Sequence, residues 1–194
     1  MKNKPLILAS SSIYRQELLK RLRLAFTAVS PDIDESPLAG ETPPATALRL
    51  AEQKARALAG RFPDALIIGS DQVAELNGLA IGKPDNHIEA VKQLTAASGN
   101  ILYFHTALCL FDAGSGQTQM KIAINDVKFR VLTARQIERY LLAEKPYDCA
   151  GSAKSEGLGI ALIEYIHGDD PNALIGLPLI ELTTMLMRAG VVVT

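Results

Sequence analysis

Asp71 follows an apolar run in Ile67-Ile68-Gly69-Ser70-Asp71-Gln72, where a carboxylate can take a proton from an attacking water. The run predicts a buried strand over residues 65–69 that stops just before Asp71, at the carboxyl end where open α/β sheets bind ligands. A capping aspartate is the plainer explanation. It is weakened because Asn77-Gly78 between apolar residues predicts a hairpin, not a helix, after Asp71.

Three other groups of residues suit an anion and a cation. Leu8-Ala9-Ser10-Ser11-Ser12-Ile13-Tyr14-Arg15 reads as a strand that ends in hydroxyl residues and opens a helix. Free N–H groups, the Ser10 and Ser12 hydroxyls and the positive helix end would suit phosphate. Arg15 adds a planar fork. Helix capping alone accounts for the serines equally well. Asp32-Ile33-Asp34-Glu35 is either a solvated acidic loop or a source of one ligand, Glu35 first, for a divalent cation that takes its other oxygens from phosphate and water. The hairpin register sets Leu76 against Leu79, Ala74 against Ile81 and Gln72 against Lys83. This returns Lys83 beside Asp71 as a candidate phosphate ligand. Lys54 lies one residue off an apolar helical stripe, and alone it reads as a surface lysine.

Small residues at Cys149-Ala150-Gly151-Ser152-Ala153-Lys154-Ser155-Glu156-Gly157 make either a loop able to approach a ligand or a tight structural turn. His87, His105 and His167 have no metal-binding spacing; they read as a helix start, a strand and a loop. Cys109 reads as a core thiol, and neither it nor Cys149 suggests a disulfide or a zinc site.

The elements that must position these residues follow from periodicity and caps. A strand is expected at 5–9, then a helix capped by Ser11 or Ser12 with Leu18, Leu19 and Leu22 on its apolar face. Thr42-Pro43 opens a second helix, with Leu48, Ala51, Ala55 and Leu58 as its stripe and Gly60 as its stop. Asn86 and Glu89 predict a capping box for a helix to about 97. Long strands at 101–111 and 117–132 flank a turn at 113–116. Thr133 and Gln136 cap a helix through 143, residues 159–166 read as a strand, and Pro178 starts a last helix stopped by Gly190. The mixture predicts an α/β fold around one mixed, strongly twisted sheet flanked by helices, in two lobes with a central cleft.

The chain has 194 residues, 20 basic and 21 acidic, a net charge of −1 and 48% hydrophobic residues. It suits one domain spanning 1–194 and gives no sign of a nucleic-acid or membrane surface. The apolar stretch after the first lysines is too short for a signal peptide, and a reducing cytoplasm is expected.

Together these segments resemble the Maf family of nucleotide pyrophosphatases from Leu6 to about the last helix. The resemblance is carried by Leu-Ala-Ser-x-Ser-x-x-Arg at 8–15, Asp-Glu at 34–35, Leu-Ala-x-x-Lys-Ala at 50–55 and Gly-Ser-Asp-Gln at 69–72. Gly-Lys-Pro at 82–84, Ala-Gly at 150–151 and Gly-Leu-Pro at 176–178 complete it. No piece is specific alone; their order is.

The resemblance implies a Maf/ITPase-like fold and hydrolysis between the α- and β-phosphates of a nucleoside triphosphate. Asp71 would be the catalytic base. Ser10, Ser12, Arg15, Lys54 and Lys83 would hold phosphate, and Glu35 and Asp71 would hold magnesium or manganese. Within the family the chain is similar to the YceF branch, associated with 7-methyl-GTP. The branch acting on dTTP and UTP carries arginine where this chain has Tyr14. Gln72 and Glu156 agree with YceF and would share the choice of base with Tyr14. An aromatic face and a carboxylate suit the positive charge of a 7-methylated guanine. Two departures, Ile13 for proline and Gln16 for arginine, both touch the phosphate turn. The alternatives are a dTTP/UTP pyrophosphatase and a nucleotide-binding regulator linked to septum formation. A small-molecule nucleotide is the expected partner, with a homodimer as one assembly the sequence allows.

Overall fold

A short, wholly apolar strand can sit only where both its faces are covered, and β1 (Leu6–Ala9) is buried along its length. The computed structural model describes residues 4–194. Here β1 pairs in parallel with β2 (Thr27–Val29) on one side and with β3 (Leu66–Leu76) on the other, with Leu6 opposite Leu66 and Leu8 opposite Ile68. One mixed sheet of seven strands runs in the order β2-β1-β3-β5-β6-β7, with β4 (Leu79–Ile81) pairing antiparallel to β3. The remaining strands are β5 (Ile101–Asp112), β6 (Thr118–Phe129) and β7 (Ile163–His167). Five helices accompany them: α1 (Ile13–Lys20), α2 (Pro43–Ala57), α3 (His87–Ala97), α4 (Ala134–Glu144) and α5 (Leu179–Arg188). The expected α/β class with a mixed sheet is what the chain forms.

The chain divides into two compact units. The first takes the chain through Asp71, then Thr106–Ala123 and Asp170–Thr194; the second takes Gln72–His105 and Ile124–Asp169. In the first, side chains of β1 and β3 alternate between two layers. Leu6, Leu8, Leu66 and Ile68 join Leu18 and Leu19 of α1 and Leu182, Met185 and Leu186 of α5 in one core cluster. On the other face, Gly69 meets α2 backbone to backbone: a Cβ there would stand 2.0 Å from the Ala51 carbonyl oxygen. Here glycine is required by close approach, not by its dihedral freedom. In the second unit, α3 packs on α4 and on the 3₁₀ turn Ala150–Ser152.

Most caps are as expected. Ser12 caps α1, and Thr133 and Gln136 form a full capping box on α4. At α3 Asn86 accepts from the Glu89 N–H, but the Asn86 N–H donates to the Pro84 carbonyl at 2.6 Å, so the box expected there is only half formed. Asn77 and Gly78 have φ of 53° and 80°, the left-handed pair a two-residue hairpin needs.

Four expectations need correction. β3 does not stop before Asp71 but runs through it to Leu76: it pairs with β1 as far as Ile68 and with β4 from Ala74, and β5 is its other neighbour in the sheet. Residues Leu158–Leu162 form a 3₁₀ helix, so the strand placed at 159–166 begins only at Ile163, and His167 closes it instead of lying in a loop. A Cβ at Gly159 would lie 2.4 Å from the Lys154 carbonyl, an approach that fits a tight turn rather than a strand. The buried stripe of α2 runs through Ala47, Leu50, Ala51, Lys54 and Ala55, with Leu48 only half-buried. Strand β2 was not anticipated: three partly exposed residues carry no alternating pattern strong enough to read.

Candidate active site

The first unit gathers most of the chemistry at one end of two parallel strands. β1 ends at Ala9 and the chain turns at once. The Ser10 hydroxyl oxygen accepts from the Ser12 N–H at 3.1 Å, and the Ser12 hydroxyl oxygen accepts from the Arg15 N–H at 3.4 Å. Ser12 therefore caps α1, as the plainer reading had it, while Ser10 closes the turn before it, and accepting a bond leaves each hydroxyl its proton to donate. Tyr14 rides half-buried on the same first turn of α1. The Arg15 Nε donates to the Gly176 carbonyl at 2.9 Å, which fixes the plane of the guanidinium. Gly176 has φ of +123°, a conformation other residues avoid. The Ser70 hydroxyl lies 2.9 Å from the same carbonyl and 2.8 Å from that of Ala107, and its one proton serves one of them at a time.

Asp71 sits on the face of β3 that meets α2, two residues beyond Gly69. The close approach at Gly69 lets Lys54 reach it: Nζ donates to Asp71 Oδ1 at 2.6 Å and to Glu35 Oε2 at 2.7 Å. Lys54 is only 4% exposed, which overturns its reading as a surface lysine. The spacing was ambiguous because a stripe read in one dimension cannot show that a glycine lets the helix come close. Burial pushes the Asp71 carboxyl above its ordinary range; Lys54 and Arg15 pull it back, and Glu35 adds to the rise. Burial likewise lowers the Arg15 guanidinium, with Asp71 and then Glu35 opposing. A carboxyl held in its charged form by neighbours yet raised by burial is poised to take a proton.

Glu35 Oε2 and Asp71 Oδ1 converge on one positive centre, the Lys54 ammonium. Among the described residues no three His, Cys, Asp or Glu side chains gather into a metal cluster. Two convergent carboxylates with nothing softer beside them fit a hard divalent cation that draws its remaining oxygens from phosphate and water.

The second unit holds the other predicted residues in a different setting. Gln72 is half-buried on β3, and by strand alternation faces away from Asp71. The hairpin register is the expected one, with Leu76 opposite Leu79 and Ala74 opposite Ile81. Lys83 follows β4 and is exposed. Gln93 of α3 donates from Nε2 to the Gly82 carbonyl at 3.1 Å and accepts from the Ser152 hydroxyl at 2.6 Å, tying the Lys83 loop to the turn at Ala150–Ser152. Glu156 is exposed at the tip of a turn closed by the Gly157 N–H on the Lys154 carbonyl at 3.2 Å. That turn is anchored to α4: the Lys154 N–H donates to the Tyr140 hydroxyl at 3.0 Å and the Leu158 N–H to Glu144 at 2.9 Å.

Ser10, Ser12, Arg15, Glu35, Lys54 and Asp71 thus belong to the first unit with Tyr14, and Gln72, Lys83 and Glu156 to the second. The sequence reading passed over the structural reasons for Gly69 and Ser70. A glycine inside a run of strand residues is the signal that could have found the close approach. The Asp169-Asp170 segment serves α5: Asp170 accepts from the Ile180 N–H at 2.7 Å and from the Asn172 N–H at 2.9 Å. The His105 Nε2 meets Glu75 at 2.8 Å in the second unit, and His87 meets Tyr147 and Glu138 at 3.0 Å each. None of the three histidines joins the residues above.

Comparison with known proteins adds a family. The family described as "Maf-like protein" matches residues 5–189. A 7-methyl-GTP pyrophosphatase of Methylobacillus flagellatus is 61% identical over 187 residues, covering 96% of this chain and 97% of the relative. One from Burkholderia thailandensis is 60% identical, covering 95% of this chain and 87% of the relative. One from Nitrosospira multiformis is 57% identical, covering 96% and 94%.

Proposed function

Because the chain belongs to the Maf-like family, we propose that residues 1–194 are one Maf-type domain that hydrolyses 7-methyl-GTP to 7-methyl-GMP and pyrophosphate. The reading of the chemistry rests on one observation: Asp71 is a buried carboxylate whose charged neighbours are Lys54, Arg15 and Glu35. Its substrate rests on relatives near 60% identity over almost the whole chain that carry this activity by name.

Asp71 takes the proton of the water that attacks the α-phosphorus. The new bond to the water oxygen forms as the bond to the bridging oxygen of the β-phosphate breaks, and pyrophosphate leaves. Ser10, Ser12, Arg15, Lys54 and Lys83 hold phosphate oxygens and offset the charge that builds up there. Glu35 and Asp71 would hold the divalent cation, magnesium or manganese, which when bound neutralises phosphate charge. Tyr14 offers an aromatic face to the methylated base, and Gln72 and Glu156 offer polar groups to its edge. A 7-methylguanine carries positive charge, so an aromatic ring and a carboxylate favour it where an arginine at position 14 would repel it.

No helix of the described residues is long and apolar enough to cross a membrane. The near-neutral charge supports action on a free nucleotide, not on nucleic acid, and the proposed setting is the cytoplasm, where free nucleotides are held. Pyrophosphate release from 7-methyl-GTP, GTP, dTTP and UTP, each with and without magnesium or manganese, tests the whole reading. The expected outcome is metal-dependent release with 7-methyl-GTP preferred. Preference for dTTP or UTP would move the chain to the other branch, and absence of release from all four would leave a nucleotide-binding regulator. Tyr14→Arg should erode the preference for 7-methyl-GTP over dTTP; an unchanged ratio removes Tyr14 from substrate choice.

A further inference from the structure

Glu35 poses a problem that its neighbours solve. Its side chain is 55% exposed, and it lies on a stretch, residues 30–42, with no helix or strand. A carboxylate so placed would sample many positions, and binding a cation would cost the entropy of collecting it.

We propose that Arg49 is the positioning residue that holds the Glu35 segment in its cation-binding arrangement. Its guanidinium forks onto Glu41, Nε to Oε1 and Nη2 to Oε2, both at 2.7 Å. The same Nη2 donates at 3.1 Å to the carbonyl of Ser36, the residue that follows Glu35. Glu41 is itself fixed, since Oε2 also accepts from the Thr46 hydroxyl at 3.0 Å and the Leu38 N–H at 3.2 Å. On the near side of Glu35, Asp34 accepts from the Ser36 N–H at 2.9 Å and closes a short turn. Arg49 and Lys54 are both on α2, so one helix carries the ammonium between the two carboxylates and the clamp that sets one of them in place.

The pair is well sheltered, with side chains 18% and 10% exposed. Its charged state is favoured strongly: Arg49, ahead of the other causes, draws the Glu41 carboxyl down to about 2. A lysine could keep the charge, but it could not span the two Glu41 oxygens and the Ser36 carbonyl at once.

The inference rests on the reading of Glu35 as a cation ligand, and its test separates the two. Mn2+ binding to the full chain is measured by the electron paramagnetic signal of the free ion, with a non-hydrolysable α,β-methylene analogue of 7-methyl-GTP present. Arg49→Met is expected to raise the half-saturating Mn2+ on the order of tenfold, the usual cost of losing a group that orients a ligand. The nucleotide KM at saturating Mn2+ should stay where it was, and excess Mn2+ should restore kcat. Glu35→Gln, measured alongside, reports the ligand itself. If Glu35→Gln weakens Mn2+ binding and Arg49→Met does not, the positioning role is overturned and the ligand stands. If Glu35→Gln binds Mn2+ as the parent does, the ligand reading fails and this inference fails with it. A lowered melting temperature with unchanged Mn2+ affinity also overturns it, since that is what a merely structural clamp would give. Should Arg49→Met not fold, Arg49→Lys serves: it keeps the charge beside Glu41 but loses the fork, and an unmoved Mn2+ midpoint would again overturn the role.

Discussion

The two units carry their candidate residues in opposite ways. In the first, Asp71 and Lys54 are buried and tied to each other, and Arg15 is pinned by a backbone carbonyl. In the second, Lys83 and Glu156 stand exposed on turns that are themselves anchored from behind, through Gln93 and through α4. Bond cleavage needs groups fixed to a fraction of an ångström in a site of low dielectric. Choosing a base needs polar groups at a surface, where substitution changes contacts without touching the core. Under the proposed reading the buried groups of the first unit carry the reaction and the exposed Glu156 of the second contributes to selectivity. Tyr14 in the first unit and Lys83 in the second are the two exceptions, and the contrast can be broken from either side.

The largest effect belongs to Asp71. Asp71→Asn should lower kcat by about 10³-fold or more, the scale of a lost general base, while leaving a folded protein that binds nucleotide. Single-turnover hydrolysis beside nucleotide binding measures it; turnover near the parent's would remove Asp71 from the chemistry. Next comes the packing that brings α2 to β3. Gly69→Ala forces a methyl to 2.0 Å from the Ala51 carbonyl, so helix and strand must part. A loss of about 3 kcal/mol in denaturant unfolding is expected, with activity falling too because Lys54 moves away from Asp71. Gly82→Ala is the control from the second unit. Nothing lies within 4 Å of a Cβ there, so stability should stay within about 0.5 kcal/mol. Equal losses at the two glycines would erase the distinction between a packed unit and an open turn.

Selectivity should respond to smaller changes. Glu156→Gln removes a charge from an exposed turn without removing the turn. The preference for 7-methyl-GTP over GTP should fall on the order of tenfold, as for one lost contact in a pocket, with the melting temperature unchanged. A drop in kcat on both substrates with no change of ratio would move Glu156 out of base selection and into the reaction.

Much of the fold was legible before any coordinates, and what was not has a physical cause. The Ser12 cap of α1, the Asn77-Gly78 hairpin turn and the capping box of α4 are local signals, and the structure has them where the sequence placed them. What failed was non-local. Lys54 looked like a surface residue because its burial depends on Gly69, fifteen positions away on another element. Asp71 looked like a residue after a strand because nothing local shows that β3 continues past its pairing with β1, which ends at Ile68, to reach its pairing with β4 from Ala74. The 3₁₀ turn at Leu158–Leu162 was read as strand because apolar residues alone do not fix the period. The Arg49–Glu41 clamp spans eight positions across the start of α2, a spacing with no helical signature.

That clamp also yields the smallest effect and the cleanest separation of charge from shape within the first unit. Glu41 titrates in the folded chain at about 2, below its ordinary 4.5, so its ionised form is favoured by folding. A carboxyl with a depressed folded value contributes stability that is fully present above the unfolded value and is lost as pH falls through the folded one. The window is therefore the interval from 4.5 down to about 2. Glu41→Gln keeps the shape of the side chain and removes the titration. The melting temperature of the parent should exceed that of Glu41→Gln at neutral pH, and the gap should narrow steadily as the pH is lowered through that interval. Other carboxylates titrate there too, but they are common to both proteins and cancel in the difference. A gap that stays constant through the window would mean that Glu41 holds the segment by shape and neutral hydrogen bonds alone. Arg49 would then hold the segment through the geometry of its fork, and Arg49→Lys, which keeps the charge but loses the fork, should release Glu35 much as Arg49→Met does.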